Sequence, residues 1–278
     1  MGRQNTGLME KNKVTSGTSS LSNKDGKLQK RKKNSTRETV EAVLIALIAA
    51  MFLRAFVVQA FRIPTGSMKD TLLVGDFLLV NKFIYGVRTP DRIPFFDINI
   101  PYFRLPSFKT PRNGDVVVFK YPKDEKLDYI KRCIAVGGQT VEMRNGDVFV
   151  DGKPEGEKLD LGQQYAPYEN PYPGGGRYVR YTRITNSYGK SYVTRHYGDH
   201  DLNSQNENFG PITVPEGHYF MMGDNRDNSA DGRAWGMLPE ENVVGEALII
   251  YFSWNKNGGP FWDLIDRIRW SRIANIIR

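Results

Sequence analysis

Hydrophobic residues are concentrated in one long segment near the start of the chain. It runs from about residue 40 to residue 61, and residues 42–53 within it carry no charge. About 20 helical residues span the hydrocarbon core of a bilayer, and Arg54, near one end, can extend its guanidinium to the interface. The pattern therefore predicts one N-terminal transmembrane helix, the anchor, over residues 38–61.

Two other interpretations of this segment stay open from the sequence. It could be a buried helix of a soluble protein, although its length and its basic flank argue against this. It could also be a cleavable signal sequence, because Val58, Gln59 and Ala60 resemble a cleavage site of small residues. The long charged leader and the interruption by Arg54 favour an uncleaved anchor.

After the anchor, short β-branched segments bounded by turn residues dominate the pattern. Asn145 and Gly146, between two of them, are typical of a two-residue hairpin turn. Because no amphipathic helix separates the segments, we predict a mainly β fold. It comprises a membrane-anchored β domain over 62–151 and 211–260, with a smaller inserted β subdomain over 152–210. The predicted strands lie at 72–80, 116–121, 129–136, 141–143, 148–150 and 248–252.

The predicted insert differs from the rest of the chain in composition. It holds eight of the fourteen tyrosines, and arginine alternates with tyrosine over 177–183. Such an alternation can mark a nucleic-acid surface, but an outward-facing strand of a small β subdomain is the favoured interpretation. His196 and His200, with an aspartate beside each, lack an obvious further pair of ligands, so we predict no metal site.

Charge changes this picture only at the N-terminus. The formal net charge is +8, and residues 1–37 alone carry ten Lys or Arg against two Asp or Glu. The remaining residues are balanced, 29 against 29, so the charge gives no support for a nucleic-acid partner. We predict a disordered basic cytoplasmic tail over 1–37, whose charges leave everything after the anchor outside the cytoplasm.

The C-terminal segment, residues 261–278, mixes tryptophan and isoleucine with four arginines. Such an amphipathic segment can lie in a membrane interface, where tryptophan and arginine are both favourable. It can equally pack against the β domain. The sequence leaves both interpretations open.

Ser67 follows closely on the apolar segment and is a candidate nucleophile. A serine hydroxyl is a weak nucleophile unless a base takes its proton, and none of the three histidines has a compelling context. Lys131 is the other candidate base, because period two along Y-I-K-R-C-I (129–134) gives it largely apolar neighbours and burial lowers the pKa of a lysine. A strand lysine is more often solvated, so the pattern alone leaves the base open.

Four motifs, in this order and approximate spacing, resemble those of the bacterial type I signal peptidases, also called leader peptidases. They are P-T-G-S-M at 64–68, N-G-D-V-V-V-F at 113–119, Y-I-K-R at 129–132 and G-D-N-R-D-N-S-A-D-G-R-A-W-G at 223–236. The resemblance covers residues 38–278. It departs from the family at 135–140, A-V-G-G-Q-T, where the family usually has G-x-P-G-D; this puts the turn after the lysine strand in doubt, but not the lysine.

The resemblance implies a membrane-bound serine endopeptidase that removes signal peptides from exported preproteins after small residues, at A-x-A type sites. Ser67 would be the nucleophile and Lys131 the general base. Thr65 and the Ser67 backbone N–H would form the oxyanion hole. Neutral Lys131 would take the serine proton, and water would then hydrolyse the acyl-enzyme with the same lysine as base.

The resemblance also implies supporting residues, partners and a location. Ser229 would orient the lysine amine, while Asp231 and Arg233 would hold its loop. No metal or cofactor is expected. The expected partners are signal peptides and the lipid bilayer, with the secretion machinery as a further candidate. The protein would cross the bacterial cytoplasmic (inner) membrane once, with its catalytic domain on the outer side.

Two alternatives from other functional classes were weighed against this interpretation. One is a catalytically inactive, membrane-tethered binding protein on the same fold, which would lack part of the catalytic set. The other is a related Ser/Lys autoprotease of a transcriptional regulator, which would be soluble and carry a DNA-binding domain. The complete set of site residues and the apolar segment argue against both.

Overall fold

The computed structural model describes residues 35–86, 106–166, 176–197, 208–255 and 264–278. The chain divides into two compact units, residues 1–45 and 46–278. Most of the predicted basic tail lies outside the described residues; only 35–37 are described, and they are helical.

Helix α1, Ser35–Phe56, contains residues 40–56 of the apolar segment. Most of its residues have high helix propensity, and Glu38 lies in its first turn, where a negative charge is favourable. Within the part of the chain that the structure describes, no helix combines the length and the apolar character needed to cross a membrane.

The strand after this helix corrects one prediction. Residues Val58–Arg62 form β1, which pairs antiparallel with β2, Asp76–Asn81. The prediction that residues 57–61 continue the helix was therefore wrong. Backbone pairing with β2 determines their conformation, whereas composition alone does not separate them from the apolar run before them.

Seven strands form the main sheet, in the order β1-β2-β14-β3-β4-β12-β13. Its members beyond the first two are β3 (Val116–Tyr121), β4 (Asp124–Val136), β12 (His218–Met222), β13 (Leu238–Pro239) and β14 (Val243–Ser253). All of its pairings are antiparallel. The prediction of a mainly β chain is confirmed.

Two smaller sheets complete the strand inventory of the described residues. One has the order β11-β5-β6-β7 and the other β10-β9-β8. The first contains β5 (Thr140–Arg144), β6 (Asp147–Val150), β7 (Lys153–Pro154) and β11 (Phe209–Thr213). The second, here called the insert sheet, contains β8 (Glu157–Ala166), β9 (Arg177–Thr185) and β10 (Ser191–Tyr197).

Two turns show how local sequence sets the register of these strands. Asn145 and Gly146 both have positive φ, 50° and 81°, as a two-residue hairpin between β5 and β6 requires. The turn after β4, which the sequence left in doubt, is closed by a backbone bond from Gln139 to Val136 O, with Gly138 at φ 83°. The Gln139 side chain also accepts from Val136 N at 3.0 Å.

The C-terminal residues pack against the main sheet. Short helices at Leu264–Arg267 (α3) and Trp270–Arg272 (3-10) lead into an extended end, which exchanges backbone hydrogen bonds with Ile250 and Leu248 of β14. The remaining described helices are α2 (Gly232–Trp235) and a 3-10 turn at Glu240–Asn242. Of the two open interpretations of this segment, the structure shows packing against the β domain.

Candidate active site

Ser67 lies in the loop between β1 and β2, and this loop is anchored by its neighbours. Met68 and Leu72 are fully buried in the cluster formed with Leu78 and other side chains of the main sheet. Leu72 N bonds to Met68 O at 2.6 Å, and Lys69 N bonds to Gly66 O at 3.0 Å. The apolar residues thus fix the loop, while Ser67 retains 9% of its accessible surface.

Lys131 lies near the middle of β4, where it pairs with Val117 of β3. Its side chain is 4% exposed, and Nζ lies 2.7 Å from Ser67 Oγ. Nζ also donates to Ile130 O at 3.0 Å and lies 5.3 Å from the centre of the Tyr129 ring. The structure thus joins the predicted nucleophile and the predicted base by a hydrogen bond.

Burial increases the fraction of this amine that is neutral and able to accept a proton. Desolvation lowers the pKa of Lys131 to about 8, against the opposing attraction of the carboxylates of Asp231 and Asp224. Removing the ammonium from water disfavours the charged form. A substantial neutral fraction is therefore present in mildly alkaline solution, and the neutral amine has a lone pair that can accept the serine proton.

The loop after β12 carries the three predicted supporting residues. Asp231 and Arg233 form a bidentate ion pair, in which Arg233 Nε and Nη2 each lie 2.8 Å from a carboxylate oxygen of Asp231. Asp231 is fully buried, accepts from Gly223 N at 3.1 Å and caps α2. Burial raises the pKa of Asp231, but the hydrogen bonds and charge of Arg233 prevail and lower it.

Ser229 is not joined to Lys131 by a hydrogen bond. Its Oγ is buried and makes no hydrogen bond of standard geometry, but it lies close enough to the Asp231 carboxylate to contribute to the lowered pKa of that group. It lies where Gly223 and the Ser67 backbone meet: a Cβ added to Gly223 would come within 2.3 Å of Ser229 Oγ and 2.5 Å of Ser67 O. The hydroxyl is therefore held between the Ser67 loop and the Asp231 carboxylate.

Thr65 is exposed two residues before Ser67. Its side chain makes no hydrogen bond within the described structure. An exposed, unengaged hydroxyl next to the nucleophile has the chemistry to donate to an oxyanion at this surface.

Sequence reasoning missed a buried ion pair directly behind the two candidate catalytic residues. Arg132, which is 0% exposed, donates to the carboxylate of Asp224 from Nε at 2.8 Å and from Nη2 at 2.6 Å. Thr71, in the nucleophile loop, donates to the same carboxylate at 2.5 Å. Alternation had placed Arg132 on a face with isoleucines, and the signal for its partner was the aspartate in the G-D-N of the 223–236 motif.

Asn225 was missed as well, and it links the Ser67 loop to the loop after β12. Its backbone N–H donates to Ser67 O at 3.1 Å, and its side-chain amide donates to Gly66 O at 2.9 Å. The loop that carries Ser229 is thereby tied to the backbone of the nucleophile.

A small, mostly apolar pocket lies next to these residues. It is bounded by the end of β1 and the residues after it, together with β3 and β4. Its lining residues are Phe61, Arg62, Ile63, Pro64, Val118, Asp128, Tyr129 and Ile130. Its size suits a small side chain.

The two described histidines, His196 and His218, contact other residues than Ser67. His196 lies 3.6 Å from Asp227, and the ring of His218 contacts Glu216 O at 3.0 Å. The predicted neighbour His200 lies outside the described residues. No group of three or more His, Cys, Asp or Glu side chains in the described ranges is arranged to hold a metal ion.

Comparison with known proteins shows the family to which the chain belongs. Residues 36–254 match the family model described as signal peptidase, peptidase S26. A signal peptidase I of Pseudomonas aeruginosa is 36% identical, over 75% of this chain and 69% of its own length. One of Aquifex aeolicus is 37% identical, over 78% and 84% respectively. A signal peptidase I of known structure from Enterococcus faecalis is 25% identical over 50% of this chain, with a TM-score of 0.29, too low to support a comparison of the folds.

Proposed function

Since the chain belongs to the signal peptidase family, peptidase S26, we propose that it is a membrane-bound serine endopeptidase with a Ser67/Lys131 dyad. Its substrates would be exported preproteins, from which it removes the signal peptide after small residues. The observation that carries the proposal is the 2.7 Å contact between Lys131 Nζ and Ser67 Oγ in a buried setting.

The chemical step is acyl transfer. Neutral Lys131 accepts the proton of Ser67 as Oγ attacks the scissile carbonyl, and it then returns that proton to the leaving amine. Water, deprotonated by the same amine, hydrolyses the ester. The Ser67 backbone N–H and the exposed Thr65 hydroxyl stabilise the negative charge on the tetrahedral oxygen. No step requires a metal or a cofactor.

Substrate selection follows from the pocket bounded by β1, β3 and β4. Its small volume and mostly apolar lining would accept a methyl group more readily than an aromatic side chain. This supports cleavage at A-x-A type sites, with an extended substrate chain aligned beside the edge strand β1. The secretion machinery stays a candidate partner with no specific contact to support it.

The side chains of helix α1 support the proposed anchor, although none of the described helices meets the length and apolar character of a full membrane span. Nine of its apolar side chains are more than half exposed: Val40, Val43, Leu44, Ile45, Leu47, Ile48, Met51, Phe52 and Leu53. Exposed apolar side chains all around a helix are unfavourable in water and favourable in lipid. The basic residues before it would keep the N-terminus in the cytoplasm, and the catalytic domain would lie on the outer side of the membrane.

The alternative of an inactive binding protein predicts a broken catalytic set. The hydrogen bond between Ser67 and Lys131 instead favours an active enzyme.

Cleavage of a purified precursor with an A-x-A site tests the proposal. The full chain in detergent should release the mature product, while Ser67→Ala and Lys131→Ala should each lose activity and remain folded. Lys126→Ala, at an exposed position of the same strand, is the matched control. Full activity in either dyad variant would refute the mechanism, and extraction of the chain from membranes by alkaline carbonate would refute the anchor.

A further inference from the structure

Strand β10 of the insert sheet makes direct backbone contact with the loop that carries Ser229. Arg195 N donates to Asp224 O at 2.9 Å, and Arg195 O accepts from Arg226 N at 3.0 Å. These two bonds form a parallel bridge between Arg195 and Asn225. Two residues along, Tyr197 N donates to the carboxylate of Asp227 at 2.6 Å. The insert therefore borders the catalytic loop along several residues.

The side chain of Arg195 reaches the other catalytic loop. Its Nη1 lies 3.5 Å from a carboxylate oxygen of Asp70, three residues after Ser67. Asp70 has a φ of 77°, a left-handed conformation that an aspartate tolerates better than most residues. The guanidinium is 2% exposed and lies 5.6 Å from the centre of the Tyr181 ring on the neighbouring strand β9.

Charge at this contact favours the observed arrangement. Burial raises the pKa of the Asp70 carboxyl, and the positive charge of Arg195 acts in the opposite direction. A buried guanidinium carries a desolvation penalty, so packing alone would be served better by an apolar side chain. An arginine at this position gives what an apolar residue cannot, an electrostatic attraction to the Asp70 carboxylate, which repulsion from the neighbouring Lys69 ammonium offsets in part.

Arg195 thus contacts both the Ser67 loop, through Asp70, and the Ser229 loop, through its backbone. Asn225 bonds to the Ser67 and Gly66 backbone on one side and forms the bridge to Arg195 on the other. We propose that Arg195 is a positioning residue, through which the insert sheet holds the Ser67 loop and the Ser229 loop at their catalytic separation. This proposal rests on the proposed peptidase function and gives the insert a role within it.

The variants that test it are Arg195→Met, which keeps the length but removes the charge, and Arg195→Lys, which keeps the charge. Arg183→Met is the matched control, because Arg183 is exposed on the adjacent strand β9. For Arg195→Met we expect kcat for a precursor to fall by about tenfold to a hundredfold, since small displacements of reacting groups have large effects. KM should change little, Arg195→Lys should recover part of the loss, and Arg183→Met should match the unmodified enzyme.

A pH profile separates positioning from general destabilisation. If the loops separate, water reaches the Lys131 amine, and the acid limb of kcat/KM moves to higher pH. A loss of folded protein alone would lower the amplitude and leave the limb in place.

Hydrogen exchange provides a readout that does not depend on activity. Amides in 66–72 and 223–231 should exchange faster in Arg195→Met than in the unmodified chain, with those of β3 unchanged. If the unmodified chain cleaves no precursor, the proposed function fails, and the exchange rates still decide the role of Arg195.

A second variant keeps the test decisive if Arg195→Met does not fold. Asp70→Asn removes the other end of the contact without altering the insert, and it should reproduce the lower kcat and the faster exchange in 66–72. A folded Arg195→Met, or in its absence a folded Asp70→Asn, with unchanged kcat, acid limb and exchange would overturn the proposal.

Discussion

Lys131 Nζ lies 2.7 Å from Ser67 Oγ, although the two residues are 64 positions apart in the chain. One is fixed by the pairing of β4 with β3, and the other by the burial of the residues that follow it in the β1–β2 loop. The contact therefore depends on the main sheet as a whole. It also places the amine where water is excluded, which determines how the site should respond to pH.

The activity is expected to increase with pH through an apparent pKa of about 8, the value to which burial lowers the pKa of Lys131. Only the neutral amine accepts the serine proton, so protonation below this value removes the base. The measurement is kcat/KM for a precursor peptide between mildly acidic and alkaline pH. An acid limb near about 6.5 would instead point to a histidine.

Replacing Lys131 by methionine should abolish cleavage and stabilise the fold at neutral pH. The folded-state pKa of Lys131 is lowered to about 8, so at pH 7 the folded protein carries a buried charge. Relative to an unfolded-state pKa of about 10.4, this costs roughly 3 kcal/mol below pH 8, and the penalty disappears as pH rises to about 10.4. Urea unfolding of the Lys131→Met variant and the unmodified full chain, in detergent at pH 7 and at about pH 10.4, measures this free-energy penalty.

Lys126→Met serves as the control, because that lysine is exposed on the same strand. A Lys131→Met variant less stable than the unmodified chain at pH 7 would contradict this account of the buried amine.

Several strands could be predicted from the sequence, because they are short β-branched segments bounded by turn residues. β3 has the predicted bounds, 116–121, and the β5–β6 hairpin turns at Asn145 and Gly146 as expected. The end of α1 could not be predicted, because the residues of β1 continue the apolar run and become a strand only by pairing with β2.

The site residues likewise divide into those that the sequence predicts and those that it does not. Ser67 and Lys131 could be proposed as partners because their motifs mark them, but their hydrogen bond is a long-range contact that no local pattern contains. The ion pair of Arg132 and Asp224 was missed for a physical reason: alternation along a strand assigns a face and says nothing about a buried carboxylate 92 positions away.

Ser229→Ala should lower kcat with little effect on stability. The buried Oγ makes no hydrogen bond of standard geometry, and the Asp231 carboxylate beside it is already held by Arg233 and Gly223 N, so its removal should cost little in the free enzyme. If the hydroxyl engages the Lys131 amine during the reaction, kcat should fall by about tenfold to a hundredfold. The measurement pairs steady-state kinetics with urea unfolding. An unchanged kcat would remove Ser229 from the catalytic set, and a large loss of stability would assign it a structural role.

Gly223→Ala should both destabilise the site and inactivate it. An added Cβ would lie 2.3 Å from Ser229 Oγ and 2.5 Å from Ser67 O, closer than such atoms approach, so one loop must move. The Ser67 contact is with backbone and cannot be relieved by a side-chain rotation. We expect a loss of about 1–3 kcal/mol in the free energy of unfolding and a lower kcat. Gly66→Ala is the stability control, because its Cβ meets nothing within 4 Å; equal stability losses in the two variants would refute the steric argument.

Asp224→Asn should be among the most damaging conservative changes in the chain. It leaves the Arg132 guanidinium, which is 0% exposed, without a carboxylate, and an unpaired buried charge costs about 3–5 kcal/mol. The double variant Arg132→Met/Asp224→Leu removes both charges and should be markedly more stable than Asp224→Asn alone. Asp147→Asn is the control, because its ion pair with Lys158 is largely exposed and should contribute less than about 1 kcal/mol. Urea unfolding of the four proteins gives the comparison, and a double variant no more stable than Asp224→Asn would show that the cost arises from lost packing and not from the uncompensated charge.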